Sequence, residues 1–81
     1  MIVRAATRTL DARGLRCPLP LIRARAALAG MAAGETLVVL ATDPEAPIDL
    51  AALAADEGHG FVKERDRDEW RLTLTKGPTA R

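Results

Sequence analysis

Residues 10–20 read LDARGLRCPLP, and this stretch predicts how the chain begins to fold. It starts in residues of strand character and passes through a turn, where Gly14 is free to adopt a positive φ. Pro18 and Pro20 then favour a helix start, because the first N–H groups of a helix have no intrahelical partner. The stretch therefore predicts a strand–turn–helix unit with Cys17 at the start of the helix.

The hydrophobic pattern divides the rest of the chain into alternating strands and helices. Alternation with a period of two marks strands, and apolar residues at helical spacing mark helices. The predicted elements are a strand at 5–11, a helix that starts at the two prolines and continues over 21–33, a strand at 36–42, a helix from Pro47 to just before Gly58, and strands at 61–65 and 70–76.

The order β-α-β-α-β-β predicts a two-layer α/β (α+β) sandwich with a four-stranded mixed sheet. Each β-α-β unit is expected to be a right-handed crossover between parallel strands. The last two strands form a hairpin, so the fourth strand runs antiparallel to the other three. We expect both helices on one face, a solvent-exposed opposite face, and one domain over residues 1–81.

The composition is typical of a small globular domain, with 48% hydrophobic and 28% charged residues among 81. A single cysteine excludes an internal disulfide and a Cys-x-x-Cys pair, and one cysteine with one histidine is too few for zinc. The first residues lead into no long apolar segment, and no apolar run could span a bilayer. We therefore expect a cytoplasmic protein without a metal.

Charge is distributed unevenly around the cysteine. The net charge is +1, yet residues 1–25 contain six arginines and one acidic residue, and Arg13 and Arg16 precede Cys17. A positive potential and a helix N-terminus both stabilise a thiolate, so we expect a lowered pKa for Cys17. The alternative is that Cys17 is a small buried hydrophobic residue, as many free cysteines are.

Two turns are predicted to lie at the same sheet edge as Cys17. They are Asp43-Pro44, after the second strand, and residues 66–68, which include Arg67. They could form a docking rim around the sulfur, although turn chemistry alone also explains their composition.

His59 and Lys76 are predicted to lie far from the cysteine. His59 follows the second helix, whose length at about 1.5 Å per residue places it about 16 Å from the cysteine edge. That distance argues against a Cys–His pair, and we expect His59 near the terminal carbonyls of the helix. Lys76, at the end of the last strand, should lie at the opposite edge.

The stretch around Cys17 resembles the signature of the TusA-type, or SirA-like, sulfur carriers. Residues 10–20 match the pattern Leu-Asp-x-Arg-Gly-Leu-x-Cys-Pro-x-Pro at every specified position. Further matches are Gly34-Glu35, Asp43-Pro44, Asp49, Gly58-His59 and Lys76. The resemblance implies the same β-α-β-α-β-β sandwich, similar to the C-terminal domain of translation initiation factor 3.

The resemblance also implies a function. Cys17 would accept sulfane sulfur as a persulfide and pass it to a partner protein, with no other cofactor, and Asp11 would tie the loop through backbone bonds. The residues expected to shape or support the site are Arg13, Gly14, Arg16, Pro18 and Pro20. Donors in this family's setting are cysteine desulfurases and rhodanese-type enzymes. Destinations include 2-thiouridine in tRNA, molybdenum cofactor assembly and sulfur oxidation, and some relatives act beside thiosulfate transporters.

Other interpretations stay open at this point. The apolar outer residues Val38 and Leu40 depart from the family pattern, and indicate either a self-association patch or a buried central strand. An RNA-binding module is suggested by the fold and the N-terminal arginines, but two aromatic residues and a net charge of +1 give it little support. A regulatory domain with an unused cysteine is the other alternative. No acid/base pair is predicted to converge on Cys17, so an autonomous enzyme is not expected.

Overall fold

Strands and helices follow one another in the predicted order β-α-β-α-β-β. The structure, a computed structural model, describes residues 6–78. The elements are β1 (Thr7–Ala12), α1 (Leu19–Ala29), β2 (Thr36–Ala41), α2 (Ala46–Glu57), β3 (Gly60–Asp66) and β4 (Glu69–Thr75). The part of the predicted first strand that precedes residue 6 lies outside the described residues.

The four strands form one mixed sheet in the order β1-β2-β4-β3. β1 and β2 are parallel, whereas β4 pairs antiparallel with both β2 and β3. The prediction that the fourth strand opposes the other three is therefore confirmed. β4 lies between β2 and β3, so the hairpin partner of β3 is also the inner neighbour of β2.

The first helix begins at the prolines, as predicted, but it ends earlier. α1 starts at Leu19, with Pro18 as its N-cap, and it ends at Ala29 rather than at residue 33. The N–H of Gly30 donates to the carbonyl of Ala27 at 3.2 Å, and the N–H of Met31 donates to the carbonyl of Leu28 at 3.0 Å, which closes the last turn. The chain then leaves the helix so that Met31 can enter the core, where it is 6% exposed. The predicted end was wrong because Met31 fits the apolar spacing of the helix, although it enters the core from the turn that follows the helix.

The second helix ends where the sequence predicts. α2 ends at Glu57, and Gly58 follows in the left-handed region at φ 76°. The N–H of the next residue, His59, caps the helix by donating to the carbonyl of Ala54 at 2.8 Å. Glycine suits position 58 because it has no Cβ to clash there.

One face of the sheet carries both helices, as predicted. Alternate residues of β2 and β4 point into the core, where Leu37 pairs with Leu74 and Val39 with Leu72. These side chains pack with buried residues of both helices, including Leu28 and Leu50. Burial of this kind contributes about 1.5–3 kcal/mol per large apolar side chain.

The opposite face is more buried at its centre than predicted. Val38 lies on it between Thr9 of β1 and Thr73 of β4, and it is only 6% exposed. β2 is an inner strand, so its neighbours cover both sides of Val38. This favours the buried central strand over the self-association patch as the reason for its apolar outer residues.

The topology brings two loops to one edge of the sheet. β1 and β2 end in register at Ala12 and Ala41, and each is followed by a helix that starts just beyond that edge. The loop that contains Cys17 therefore meets the loop at 42–45. No helix within residues 6–78 is long and apolar enough to cross a membrane.

Candidate functional site

Cys17 is exposed in the loop between β1 and α1. It immediately precedes Pro18, the N-cap residue of α1, and Pro20 in the first turn is buried. The interpretation of Cys17 as a buried hydrophobic residue is therefore wrong. Its sulfur is accessible to another molecule.

A salt bridge within the loop fixes its shape on the β1 side. Asp11 accepts hydrogen bonds from the backbone N–H of Arg13 (3.1 Å) and from its Nε and Nη2 (both 2.9 Å). The side-chain bonds from Arg13, followed by its backbone bond, lower the pKa of Asp11 to about 2. Asp11 ties the loop as expected, through one backbone bond and two side-chain bonds from Arg13. Arg13 Nη1 also lies 3.6 Å from Glu69 Oε2. The carboxylates of Asp11 and Glu69 therefore compensate the charge of the Arg13 guanidinium.

The loop after β2 holds the cysteine loop through two further hydrogen bonds. The N–H of Gly14, at φ 82°, donates to Thr42 Oγ1 at 2.9 Å, and the N–H of Cys17 donates to Asp43 Oδ2. The other oxygen of Asp43 accepts the N–H of Glu45 at 2.9 Å. The Glu45 bond and then the Cys17 bond lower the pKa of Asp43. Asp43 thus joins the two loops that form the site.

The thiol of Cys17 is surrounded by acidic groups. Sγ donates to Asp49 Oδ2 at 3.0 Å, and Asp49 lies in the first turn of α2. The hydrogen bond to Asp49 is the largest cause that raises the pKa of Cys17 to about 11, followed by desolvation and by the charges of Asp49, Glu45 and Asp43. The predicted lowering of this pKa is therefore wrong.

The reason for this difference is where the charges end up in space. Arg13 faces Asp11 and Glu69, and the N–H of Leu19 donates to the carbonyl of Arg16 at 2.8 Å. Within residues 6–78, no backbone N–H donates to Cys17 Sγ. The carboxylates that do face the sulfur come from residues some thirty positions later in the chain.

Three potential ligand atoms lie close together at this site. Cys17 Sγ and carboxylate oxygens of Glu45 and Asp49 are all within 4.8 Å of one another. One sulfur and two carboxylates lack the additional sulfur or imidazole ligands typical of zinc sites. Within this group, the hydrogen bond from Cys17 Sγ to Asp49 is the direct contact.

The predicted docking rim divides into a near part and a more distant part. A cleft of about 280 Å³ beside Cys17 is lined by Gly14, Leu15, Arg16, Thr42, Asp43 and Pro44. The 66–68 turn lies at the same sheet edge, and among residues 6–78 its ionic link to the cysteine loop is the adjacent Glu69, which faces Arg13. Arg67, at φ 59°, accepts a bond from Arg65 through its carbonyl, and no hydrogen bond or ion pair within residues 6–78 joins it to Cys17.

Exposed apolar side chains flank the cysteine loop. Leu19 and Ile22 in the first turns of α1 are 43% and 55% exposed, and Ile48 in the first turn of α2 is 66% exposed. Large exposed aliphatic side chains therefore lie in the first turns of both helices, which start at the sheet edge of Cys17. Surfaces of this type are common where proteins bind one another.

His59 and Lys76 lie at the opposite edge, as predicted. His59 follows α2, its Nδ1 accepts the N–H of Gly77 at 2.9 Å, and its Nε2 donates to Glu57 at 3.1 Å. Lys76 Nζ donates to the carbonyl of Leu28 in the last turn of α1. Both side chains tie helix ends to the end of β4, and neither reaches Cys17.

Sequence reasoning placed Asp43 at this edge but missed Asp49 and Glu45 as parts of the site. Asp49 was one of the matches to the family pattern, but its place beside the sulfur was not predicted, and Glu45 and Thr42 gave no signal. The available clue was position: α2 begins at the cysteine edge, so the side chains of its first turn had to lie there.

Comparison with known proteins places this geometry in a family. The sequence profile described as sulfurtransferase TusA matches residues 8–76. The chain belongs to the TusA family. The TusA sulfur carrier of Allochromatium vinosum is 42% identical over 57 residues, which cover 70% of this chain and 75% of that protein. A Neisseria meningitidis protein whose name suggests a sulfur carrier is 48% identical over 60 residues, covering 74% of this chain and 81% of its own length.

The fold comparison agrees with this family. The crystal structure of a SirA-like protein from Desulfitobacterium hafniense matches with a TM-score of 0.79 and 33% sequence identity. The match covers 86% of this chain and 97% of that one. The predicted resemblance and the predicted α+β sandwich are therefore confirmed, and the family is one of sulfur carriers.

Proposed function

We propose that this protein carries sulfur as a persulfide on Cys17 and relays it between two partner proteins. The observation that carries the proposal is the exposed thiol of Cys17, the chain's single cysteine, held where two loops meet at the start of both helices. A relay needs one accessible sulfur and no bound cofactor. Membership of the TusA family supports the same role.

The transfer step exchanges one sulfur–sulfur bond for another. Cys17 Sγ attacks the terminal sulfur of a donor persulfide, R–S–SH. The S–S bond of the donor breaks, a new S–S bond forms on Cys17, and the proton lost by Cys17 balances the one gained by the donor thiol. The reaction needs no external oxidant or reductant. Attack by an acceptor thiol on the Cys17 persulfide repeats the exchange and restores the Cys17 thiol.

The partners follow from this chemistry. The donor is a protein that forms a persulfide, such as a cysteine desulfurase or a rhodanese-type enzyme. The acceptor is a protein thiol that leads to tRNA thiolation, cofactor assembly or sulfur and thiosulfate metabolism. We propose that the protein contacts these partners in the reducing cytoplasm, because a free thiol must stay reduced between cycles.

The experiment is intact mass spectrometry after incubation with a sulfur donor. The protein is treated with a cysteine desulfurase and cysteine, or with thiosulfate and a rhodanese, beside a Cys17→Ser variant. We expect the mass of one added sulfur on the native chain, its removal by reductant, and no gain on the variant. If a folded protein with an alkylatable Cys17 gains no sulfur from either donor, the proposal is wrong and a regulatory domain becomes the better interpretation.

A further inference from the structure

We propose that Asp49 determines which partner proteins can react with Cys17. Asp49 holds the unloaded sulfur as a hydrogen-bonded thiol within a group of carboxylates. The negative charge of this group favours partners with a cationic contact surface. This inference rests on the proposed carrier function and adds the charge of the partner and a residue that selects it. The carboxylates are Asp43, Glu45 and Asp49, here called the acidic group.

The direct contact is between a thiol and a carboxylate. Cys17 Sγ lies 3.0 Å from Asp49 Oδ2, and a carboxylate can only accept a hydrogen bond from it. The contact therefore exists with the protonated thiol and is lost with the thiolate, which would face Asp49 as a like charge. Because the thiolate is the nucleophile, Cys17 is a weak nucleophile while its thiol is bonded to Asp49.

Charges in the two loops and in the first turn of α2 decide the sign of the field at Cys17. The loop after β2 contributes Asp43 and Glu45, and α2 contributes Asp49. The cysteine loop contributes Arg16, whose charge acts on Asp43. Arg13, the other nearby cation, is shared between Asp11 and Glu69. The acidic group therefore exceeds the cations that are free to act on the sulfur.

A donor can change this balance when it docks. Lysine or arginine side chains that approach the acidic group would offset its charge and make the thiolate less costly to form. An anionic surface would meet repulsion at the same place. Leu19, Ile22 and Ile48 are exposed in the first turns of α1 and α2, and they would give a partner that docks at this edge an apolar contact as well. Such a site limits reaction of Cys17 with unselected electrophiles while a matched partner can still use it.

Charged thiol reagents test the sign of the field without any sulfur transfer. Methanethiosulfonates that carry a trimethylammonium or a sulfonate group react with Cys17, and their rates are compared at low and high salt. We expect the cationic reagent to react about tenfold faster than the anionic one at low salt, and the ratio to fall as salt screens the charges. Equal rates, or faster reaction of the anionic reagent, would overturn the inference.

Substitution of Asp49 assigns the effect to this residue. In Asp49→Asn the reagent ratio should fall at least about threefold, and the pH midpoint for reaction with neutral iodoacetamide should move down. Asp56→Asn is the matched control, because it removes an exposed carboxylate from α2 about two turns further on. Circular dichroism verifies that both variants are folded. If both change the ratio and the midpoint equally, the role of Asp49 is refuted.

Peptide persulfides separate this inference from the carrier function. Two short peptides with one cysteine persulfide each, one rich in lysine and one rich in glutamate, are offered to the native chain and to Asp49→Asn. We expect the lysine-rich donor to load Cys17 faster, with a smaller preference in the variant. Equal loading by both peptides would refute the charge selection and leave the carrier function standing. If neither peptide nor any protein donor loads Cys17 while the reagents still discriminate, the carrier function fails and the control of Cys17 by Asp49 stands.

Discussion

The carboxylate of Asp43 accepts the backbone N–H of Cys17, which joins the loop after β2 to the loop after β1. Its other oxygen accepts the N–H of Glu45, so one side chain fixes the backbone on both sides of the site. The position of the sulfur therefore depends on a residue 26 places further along the chain.

Replacement of Asp43 should loosen the cysteine loop. In Asp43→Ala the N–H groups of Cys17 and Glu45 lose their acceptor, and we expect faster amide hydrogen exchange at both positions and a lower melting temperature. Asp43→Asn keeps one carbonyl oxygen and should have a smaller effect. Exchange rates at Cys17 that are unchanged in Asp43→Ala would contradict the assigned role, and Asp56→Asn is the control for loss of charge.

The same contacts predict loss of stability in acid. Hydrogen bonds from Glu45 and Cys17 lower the pKa of Asp43, so its contribution is complete above the unfolded-state pKa of about 4 and is lost as the pH falls below it. Thermal melts between about pH 2 and 6 measure the slope. Asp43→Ala should flatten part of this dependence, whereas a slope identical to that of the native chain would assign acid sensitivity to other carboxylates.

The Arg13–Asp11 salt bridge can be followed through the titration of Asp11. Arg13 lowers the pKa of Asp11 to about 2, so we expect Arg13→Ala to return it toward the ordinary value near 3.8. The native bond stabilises the fold above about pH 4 and is lost as the pH falls towards 2. NMR titration of the Asp11 carboxyl measures the shift. Arg8→Ala, which removes an exposed arginine from the same strand, should leave that titration unchanged.

His59 should prove to be a structural residue. Its ring is 4% exposed, and Nδ1 is the acceptor for the N–H of buried Gly77. We expect His59→Ala to lower the free energy of unfolding by about 1–3 kcal/mol, because it leaves a buried donor unpaired. His59→Asn keeps an acceptor near the Nδ1 position and should recover part of that loss.

Two measurements complete the test of His59. Denaturant unfolding gives the free energies of the native chain and both variants, and sulfur loading of Cys17 is compared on the folded proteins. Loading that stops in a folded His59→Asn variant would contradict the structural role.

Gly77 and Gly30 should respond in opposite ways to the same substitution. A Cβ at Gly77 would overlap the backbone carbonyl of Gly58, so Gly77→Ala should destabilise the fold by about 1–3 kcal/mol. At Gly30 the φ is −94° and the nearest atom to an added Cβ is 3.9 Å away. Gly30→Ala should therefore be neutral or stabilising by up to about 1 kcal/mol. Urea unfolding of the two variants provides the comparison, and equal effects would show that close packing at Gly77 is not the cause.

The sequence by itself determined the order of elements and the place of the cysteine. Strand alternation, helical spacing and proline at a helix start are local signals, and they predicted the sandwich, the exposed Cys17 and the distant positions of His59 and Lys76. The end of α1 was the weakest of these predictions, because Met31 fits helical spacing whether or not the helix continues.

The tertiary structure alone decided the electrostatics of the site. Counted along the chain, arginines dominate the first 25 residues, which predicts a positive field at Cys17. In the fold, Arg13 turns to Asp11 and Glu69, and the parallel crossover brings Asp43 and Asp49 against the cysteine loop. An electrostatic field depends on distances in space. In this fold the carboxylates nearest to the sulfur belong to the segment after β2, which is far from Cys17 along the chain.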